Sequence, residues 1–309
     1  MNMNDKKVLV IFHRVDFDGL LSAAIVLDAL SKKGITVEYL GWNYGDELPE
    51  FEEIYNIYTD IIMVDISFPA DIMLRLKETF IGDRSVVWID HHITAIENSY
   101  QEGYSDLPGI RRNGTAACEL CWEYYYPTCP VPRIVEYLGC YDVWNKTRYS
   151  WDNQVLPFQY GLKTRYGVSP KTFFPIFENL VYEVIDLNEI IHEGEIILKY
   201  LERTWKSACK TYSFEVRVAG RYKGICILTT EFTSNVFNSI SKDYDIVICC
   251  NRKGPDTFNV GMYKDQDKCP GFNCGEYMKI NYNGGGHVGS SGGILNFDEF
   301  RKLIINCEL

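Results

Sequence analysis

Three short apolar runs that end abruptly in acid or imidazole constrain this chain most. "KKVLVIFH" leads into "RVDFDG", "IIMVDIS" ends around Asp65, and "SVVWIDHH" ends on Asp90, His91 and His92. Unbroken apolar runs of this length, without polar alternation, suit strands covered on both faces. Between them lie helical patterns. "LLSAAIVLDALSKKG" stops at Gly34, and "PADIMLRLKETF" has Pro69 near its first turn. "ITVEYLGW" supplies one more strand. Strands that alternate with helices predict an α/β fold with a parallel sheet. In such a sheet the C-terminal strand ends open into one crevice, where ligands bind. The three polar endings are therefore expected to meet.

Farther on, "GTAACELCWEYYY" reads as a helix, and helices are expected to continue through residue 145. Residues 175–208 read as a long helical connector. After Lys210 the texture changes to strands, "YSFEVRVAG", "KGICILTT", "YDIVICC" and "FNVGMY", with a Gly-rich stretch at 273–293. The expected organisation is an N-terminal parallel-sheet domain over 1–172, a helical connector over 173–209 and a smaller α+β domain over 210–309.

The net charge of −11 is uneven. Residues 210–309 hold 12 Lys and Arg against 11 Asp and Glu, or +1, so residues 1–209 carry 19 against 31, or −12. A protein that tracks long duplex nucleic acid normally has a basic surface, so no such partner is expected. An acidic half fits plain solubility or carboxylates gathered around cations. No apolar run approaches the roughly 20 residues of a membrane helix, and Val8–Phe12 is too short for a signal peptide. The expectation is a cytoplasmic protein with no membrane partner. The 11 cysteines form no framework. Cys118 and Cys121 make a CxxC inside a helix with no second pair, so all are expected to be buried, reduced thiols.

Of five histidines, His13, His91 and His92 lie at the strand ends, and His287 follows a glycine run. Asp16, Asp18, Asp65 and Asp90 share the strand ends. Carboxylates this close repel one another and drive their pKa values up unless cations intervene. Asp and His together suit a pair of divalent ions, Mn²⁺ first and Mg²⁺ or Zn²⁺ after it. Two ions ~3.5–4 Å apart can activate water and clamp an in-line phosphoryl displacement. Single residues also have plainer readings. Asp18-Gly19 can be a helix N-cap before Leu20, Asp90 a strand terminus, and Asp142 in "GCYDVWN" a turn residue between aromatics.

His-x-x-Asp-x-Asp-Gly (13–19), Asp-x-Ser (65–67), Asp-His-His (90–92) and a later isolated Asp142 resemble, in order, the motifs of the DHH phosphoesterase superfamily. "NGGGHVGSSGG" (283–293) resembles the glycine-rich motif of its associated C-terminal nucleotide-binding domain. The likeness is greatest to small two-domain enzymes that cleave very short RNA. It implies that His13, Asp16 and Asp65 hold one metal, and that Asp18, Asp65, His91 and Asp142 hold the other, with Asp65 bridging. It also implies that Asp90 orients its neighbours and that His92 faces the substrate phosphate and protonates the leaving oxygen.

In the second domain, consecutive glycine N–H groups can form an anion-binding concavity, so Gly284, Gly285, Gly286 and His287 are expected to meet substrate. The pattern departs from the family. Asn283 stands where a further glycine is usual, and Gly261-Met262-Tyr263-Lys264 replaces a stretch that commonly carries a phosphate-gripping arginine. Lys264 or Arg252 is the candidate substitute, with Tyr263 or Tyr282 as a stacking surface. Arg111, before a helix start, is a candidate anion ligand, and Asn43 in "GWNYGD" either lines the crevice or forms a turn. The resulting expectation is a two-metal phosphoesterase for short oligonucleotides or small nucleotides, whose second domain closes over the crevice and limits substrate length. The rivals are a pAp-type phosphatase, a cyclic or linear dinucleotide phosphodiesterase, and a non-catalytic nucleotide-binding regulator. A homodimer is left open.

Overall fold

The computed structural model describes residues 6–230, 233–265 and 267–305. The chain divides into two compact units, one through Leu198 and one from Lys199 onward.

In the first unit, β1 (Val8–His13) is followed by α1 (Phe17–Ser31), β2 (Val37–Trp42), α2 (Phe51–Ile57), β3 (Asp60–Val64), α3 (Ala70–Thr79), β4 (Ser85–Ile89) and α4 (Ile93–Glu102). The sheet order is β2-β1-β3-β4, and every pairing is parallel. The predicted α/β class is thus observed. Val10, Ile11 and Phe12 of β1 are wholly buried, as their unbroken apolar run requires. The chain order reverses across β1, and the crevice above β1 and β3 is where such a sheet binds ligands. Helix α2, not among the elements expected from the sequence, buries Phe51, Ile54 and Tyr55 at i, i+3 and i+4 spacing.

Then come α5 (Ala117–Tyr125) and α6 (Arg133–Asp142), a π-helical turn (Trp151–Val155), α7 (Leu156–Tyr166), the single turn α8 (Pro170–Phe173) and α9 (Phe177–Val181). The expected continuation of helix to residue 145 is cut short. Trp144 adopts a left-handed backbone, φ 56°, which ends α6 just after Asp142. The connector is likewise not one helix. Glu183 is left-handed, φ 53°, and separates α9 from the 26-residue α10 (Leu187–Tyr212).

The second unit is a six-stranded mixed sheet, β5 (Ser213–Val218), β6 (Tyr222–Leu228), β7 (Ile246–Arg252), β8 (Thr257–Lys264), β9 (Gly285–Gly286) and β10 (Ser290–Asn296), in the order β5-β6-β7-β8-β10-β9. Among the described residues of this sheet, only β6 and β7 pair in parallel. Helices α11 (Cys274–Tyr282) and α12 (Phe297–Ile305) cover it, and Met278, Phe300 and Leu303 join a core with Ile248, Val260 and Met262. Among the described residues, no helix is long and apolar enough to cross a membrane. The ten cysteines described are free thiols, and Cys129 is exposed, contrary to the expectation that all are buried.

Candidate metal centre

The site begins where β1 runs out. Asp16 is the N-cap of α1, and its Oδ1 accepts the Gly19 N–H at 2.9 Å. The capping role offered for Asp18 therefore belongs to Asp16. Gly19 is required here, because a Cβ would strike the carbonyl and side chain of His13. That close approach sets α1 against the end of β1 and turns Asp18 inward. Asp18 is 3% exposed, and its two oxygens accept the N–H groups of Ala117 and Cys118, both at 2.8 Å. One carboxylate thus caps α5, whose own N-cap residue, Ala116, has no side-chain oxygen.

Asp65, one residue past β3, holds a left-handed backbone with φ 58°. Asp tolerates this region better than most residues, yet it is uncommon and tends to mark functional positions. Its Oδ2 lies 3.5 Å from His13 Nδ1, and its Oδ1 lies 3.3 Å from His91 Nε2. Asp16 Oδ2 lies 2.8 Å from the same His13 nitrogen. His91 Nε2 also faces Asp142 Oδ2 at 3.3 Å and Asp18 Oδ2 at 3.7 Å. Asp142 arrives as the last residue of α6. The helix end that carries it is braced by aromatics: Tyr141 stacks on Trp151 at 5.8 Å, and Trp144 packs against Trp151 at 4.7 Å.

The ligand-type atoms of His13, Asp16 and Asp65 lie within 4.8 Å of one another, as do those of Asp18, His91 and Asp142, and those of Asp65, His91 and His92. Three buried atoms in these groups, His13 Nδ1, Asp65 Oδ1 and Asp142 Oδ2, face charged neighbours at 2.8, 3.3 and 3.3 Å without the geometry of a good hydrogen bond. A buried polar atom left so costs about 1–3 kcal/mol. Three imidazoles and four carboxylates around three such atoms are a donor set that fits divalent cations.

The metal-free electrostatics point the same way. Burial opposes a charge on His13, but Asp16 and Asp65 hold its pKa up at about 11. Burial likewise opposes His91, which Asp65, Asp142 and Asp18 hold at about 11. Burial pushes Asp142 up to about 7, with His91 pulling against it. Burial, then the charges of Asp65 and Asp142, raises Asp18 well above the carboxylate range. Asp65 is the exception: burial would raise it, but His13 and His91 hold it well below that range. Without metal, the cluster keeps protons where cations would otherwise sit.

Two outer contacts fix the imidazoles. Asn43 Oδ1 lies 2.9 Å from His13 Nε2. An acceptor there places the proton on Nε2 and leaves Nδ1 facing the carboxylates. Asp90, wholly buried, accepts the backbone N–H of His91 at 2.7 Å and of His92 at 3.2 Å, and lies 2.7 Å from His92 Nδ1. Trp88 Nε1 donates to its other oxygen at 3.2 Å. Burial opposes a charged His92, but Asp90 raises its pKa to about 9.

Sequence reasoning had weighed Asn43 without giving it this partner, and it missed Tyr44. The Tyr44 ring packs 5.7 Å from His13 and 6.0 Å from His92. A polar loop directly after β2, the strand beside β1, was the available signal.

Four expected substrate contacts are placed otherwise. Arg111 does not open a helix. Its guanidinium donates to the carbonyls of Trp88 at 2.9 Å, Ser105 at 3.0 Å and Pro108 at 3.3 Å, and lies over the Trp88 ring. It pins the extended segment that pairs beside Asp90. Lys264 Nζ donates to the Cys269, Pro270 and Phe272 carbonyls, the last at 2.6 Å. Arg252 closes its own turn on Gly254 and Pro255. The run Gly284–His287 is not a cradle of consecutive donors. Gly284 N–H bonds Met278 O, His287 N–H bonds Ser290 O, and Gly285 and Gly286 pair with β10. Its glycines answer a packing demand, since a Cβ on Gly284 or Gly286 would strike β10. These residues all lie in the second unit, apart from Arg111.

Residues 7–140 match the model of the DHH family, N-terminal domain. Among curated proteins, none matches the sequence. Of solved structures, the pGpG-specific phosphodiesterase PggH of Vibrio cholerae is 16% identical, covers 96% of this chain and is itself 96% covered, with a TM-score of 0.52. RecJ of Thermus thermophilus in complex with Mn²⁺ is 14% identical at a TM-score of 0.53; the match covers 96% of this chain but 51% of RecJ. The DHH domain of a member of a ribosomal-protein family is 16% identical at 0.53, with 96% of this chain and 84% of that one covered. At such identities the likeness is one of fold.

Proposed function

We propose, for a chain whose residues 7–140 are a DHH-family N-terminal domain, a metal-dependent phosphoesterase that hydrolyses phosphodiester bonds of short oligonucleotides or small nucleotides. The observation that carries this reading is Asp65. One buried carboxylate reaches His13 with one oxygen and His91 with the other, between the two clusters. In this reading His13, Asp16 and Asp65 hold one divalent ion, and Asp18, Asp65, His91 and Asp142 hold a second; Mn²⁺ suits the donor set best. Such ions, when bound, supply Lewis acidity at phosphorus and a water of lowered pKa.

The chain's own residues do the rest. Asp90 accepts the Nδ1 proton of His92 as a hydrogen bond, which fixes the ring that this reading turns toward the phosphate. Water attacks phosphorus and gives up a proton to solvent, the bond to the leaving oxygen breaks, and His92, starting protonated, gives its proton to that oxygen and is reprotonated from solvent. The first unit's negative charge, set against PggH as a dinucleotide enzyme of matching length, favours small substrates over long duplexes.

The test is a Mn²⁺-supplemented assay on di- to decanucleotides, pAp and cyclic dinucleotides, with Asp65→Ala alongside. Hydrolysis of the short substrates that Asp65→Ala abolishes, with the fold retained by circular dichroism, supports the reading. Release of phosphate from pAp alone makes it a phosphatase. Nucleotide binding without turnover makes it a regulatory module and refutes catalysis.

A further inference from the structure

We propose that a cleft beside the cluster, between the loop after β2 and the segment after β3, seats the nucleobase of the nucleotide whose phosphate lies at His13, Asp65 and His92. This deepens the phosphoesterase reading and rests on it. The cleft holds about 390 Å³ and is lined chiefly by Trp42, Tyr44, Leu48, Ser67, Phe68 and Pro69. That lies within the ~300–1,000 Å³ of small-molecule sites, and the apolar and aromatic lining is of their kind.

Tyr44 joins the cleft to the chemistry. Its ring is in contact with His13 and His92 and also packs 5.6 Å from Trp42 within the cleft wall. A group bound against Tyr44 is therefore one ring away from the imidazoles that face a phosphate. The wall is fixed before any ligand arrives. The Tyr44 hydroxyl accepts the Ser67 N–H at 3.1 Å and meets Ser67 Oγ at 3.4 Å. Trp42 donates to the Glu47 carbonyl at 2.9 Å and packs on Phe68 at 4.8 Å. Yet Tyr44 and Leu48 are 44% and 46% exposed. Rigid apolar surface held open to solvent next to a charged centre suits the flat face of a base.

The same surroundings set the selectivity. The acidic side chain at the rim, Asp46, has its oxygens taken by Arg14 and by the Asn43 N–H. Stacking rather than hydrogen-bond readout then holds the base, so the cleft is tolerant of base identity and intolerant of its absence.

Leu48→Trp fills the cleft from its exposed rim and tests this. With Mn²⁺ present, kcat/KM is measured for the dinucleotide pApA and for its analogue lacking the base next to the scissile phosphate. The intact-to-abasic ratio should fall by about 10- to 100-fold in the variant, the range that one stacked base contributes. An unchanged ratio overturns the proposal. Separately, AMP titrated into the wild-type protein should shift the amide signals of Tyr44, Leu48 and Ser67, and Leu48→Trp should abolish those shifts. AMP shifts confined elsewhere also overturn it. If AMP binds here and no substrate is cleaved by wild-type protein, the cleft stands and the phosphoesterase reading fails.

Discussion

Asn43→Leu isolates a residue that offers no atom to the carboxylate cluster. Its Oδ1 sits 2.9 Å from His13 Nε2, on the far side of the ring from Asp16 and Asp65. Leucine is close to asparagine in shape and accepts nothing. The loop should survive the change, because the backbone N–H of residue 43 still reaches Asp46. The His13 side chain is only 12% exposed, so water replaces the lost acceptor poorly. Losing a contact that orients a metal-binding imidazole weakens metal binding about 10- to 100-fold, or about 1.4–2.7 kcal/mol. Free Mn²⁺, followed by electron paramagnetic resonance during titration, reads the affinity, and a thermal melt followed by circular dichroism reads the fold. Asn43→Asp keeps an acceptor in place and should hold affinity close to wild type. A leucine variant that melts normally and binds Mn²⁺ within about twofold of wild type would refute the orienting role and weaken the assignment of His13 Nδ1 as a ligand atom.

Metal binding should release protons. His13 and His91 are held at about 11 and Asp142 at about 7 in the metal-free cluster. These three, and Asp18, which burial also holds protonated, must deprotonate to bind, so protons are released on filling the centre and affinity rises with pH. Calorimetry in buffers of different ionisation enthalpy counts them, and affinity flat from pH 6 to 9 contradicts the scheme. Gly19→Ala forces α1 off the end of β1, and urea unfolding should show a loss of about 1–3 kcal/mol; an unchanged midpoint would deny that close approach. Arg111→Ala should cost about 1.5–3 kcal/mol of stability and leave KM alone, since its donors serve three carbonyls. A raised KM at unchanged stability would restore the anion-binding expectation.

The convergence of His13, Asp65 and His91 was legible because parallel strands are apolar throughout and become polar only where they leave the sheet. Asp142 was expected beside Asp18 and His91 only through the family resemblance, because it comes from a helix end whose placement depends on tertiary packing around Trp151. The partners of Asp18 at Ala117 and Cys118 leave no local trace, since nothing at residue 18 announces a helix N-terminus 99 residues on. The carbonyl partners of Arg111, Arg252 and Lys264 were hidden for a shared reason. A cation beside a loop reads as a ligand for anions, whereas carbonyls within reach satisfy it without any partner. The strand pairing of the glycine run was hidden because backbone donors serve a neighbouring strand as readily as a phosphate. Tyr44 went unread because a polar aromatic loop looks like a turn until the neighbouring strand ends are placed beside it.

The Asp18 carboxylate that faces His91 also receives the Cys118 amide, 100 residues away in sequence. Any change of charge at the centre must alter the strength of those two amide bonds, and with it the opening of the first turn of α5. The amides of Ala117 and Cys118 are therefore native sensors: their exchange rates and resonance frequencies carry the occupancy of the centre without any label attached to it.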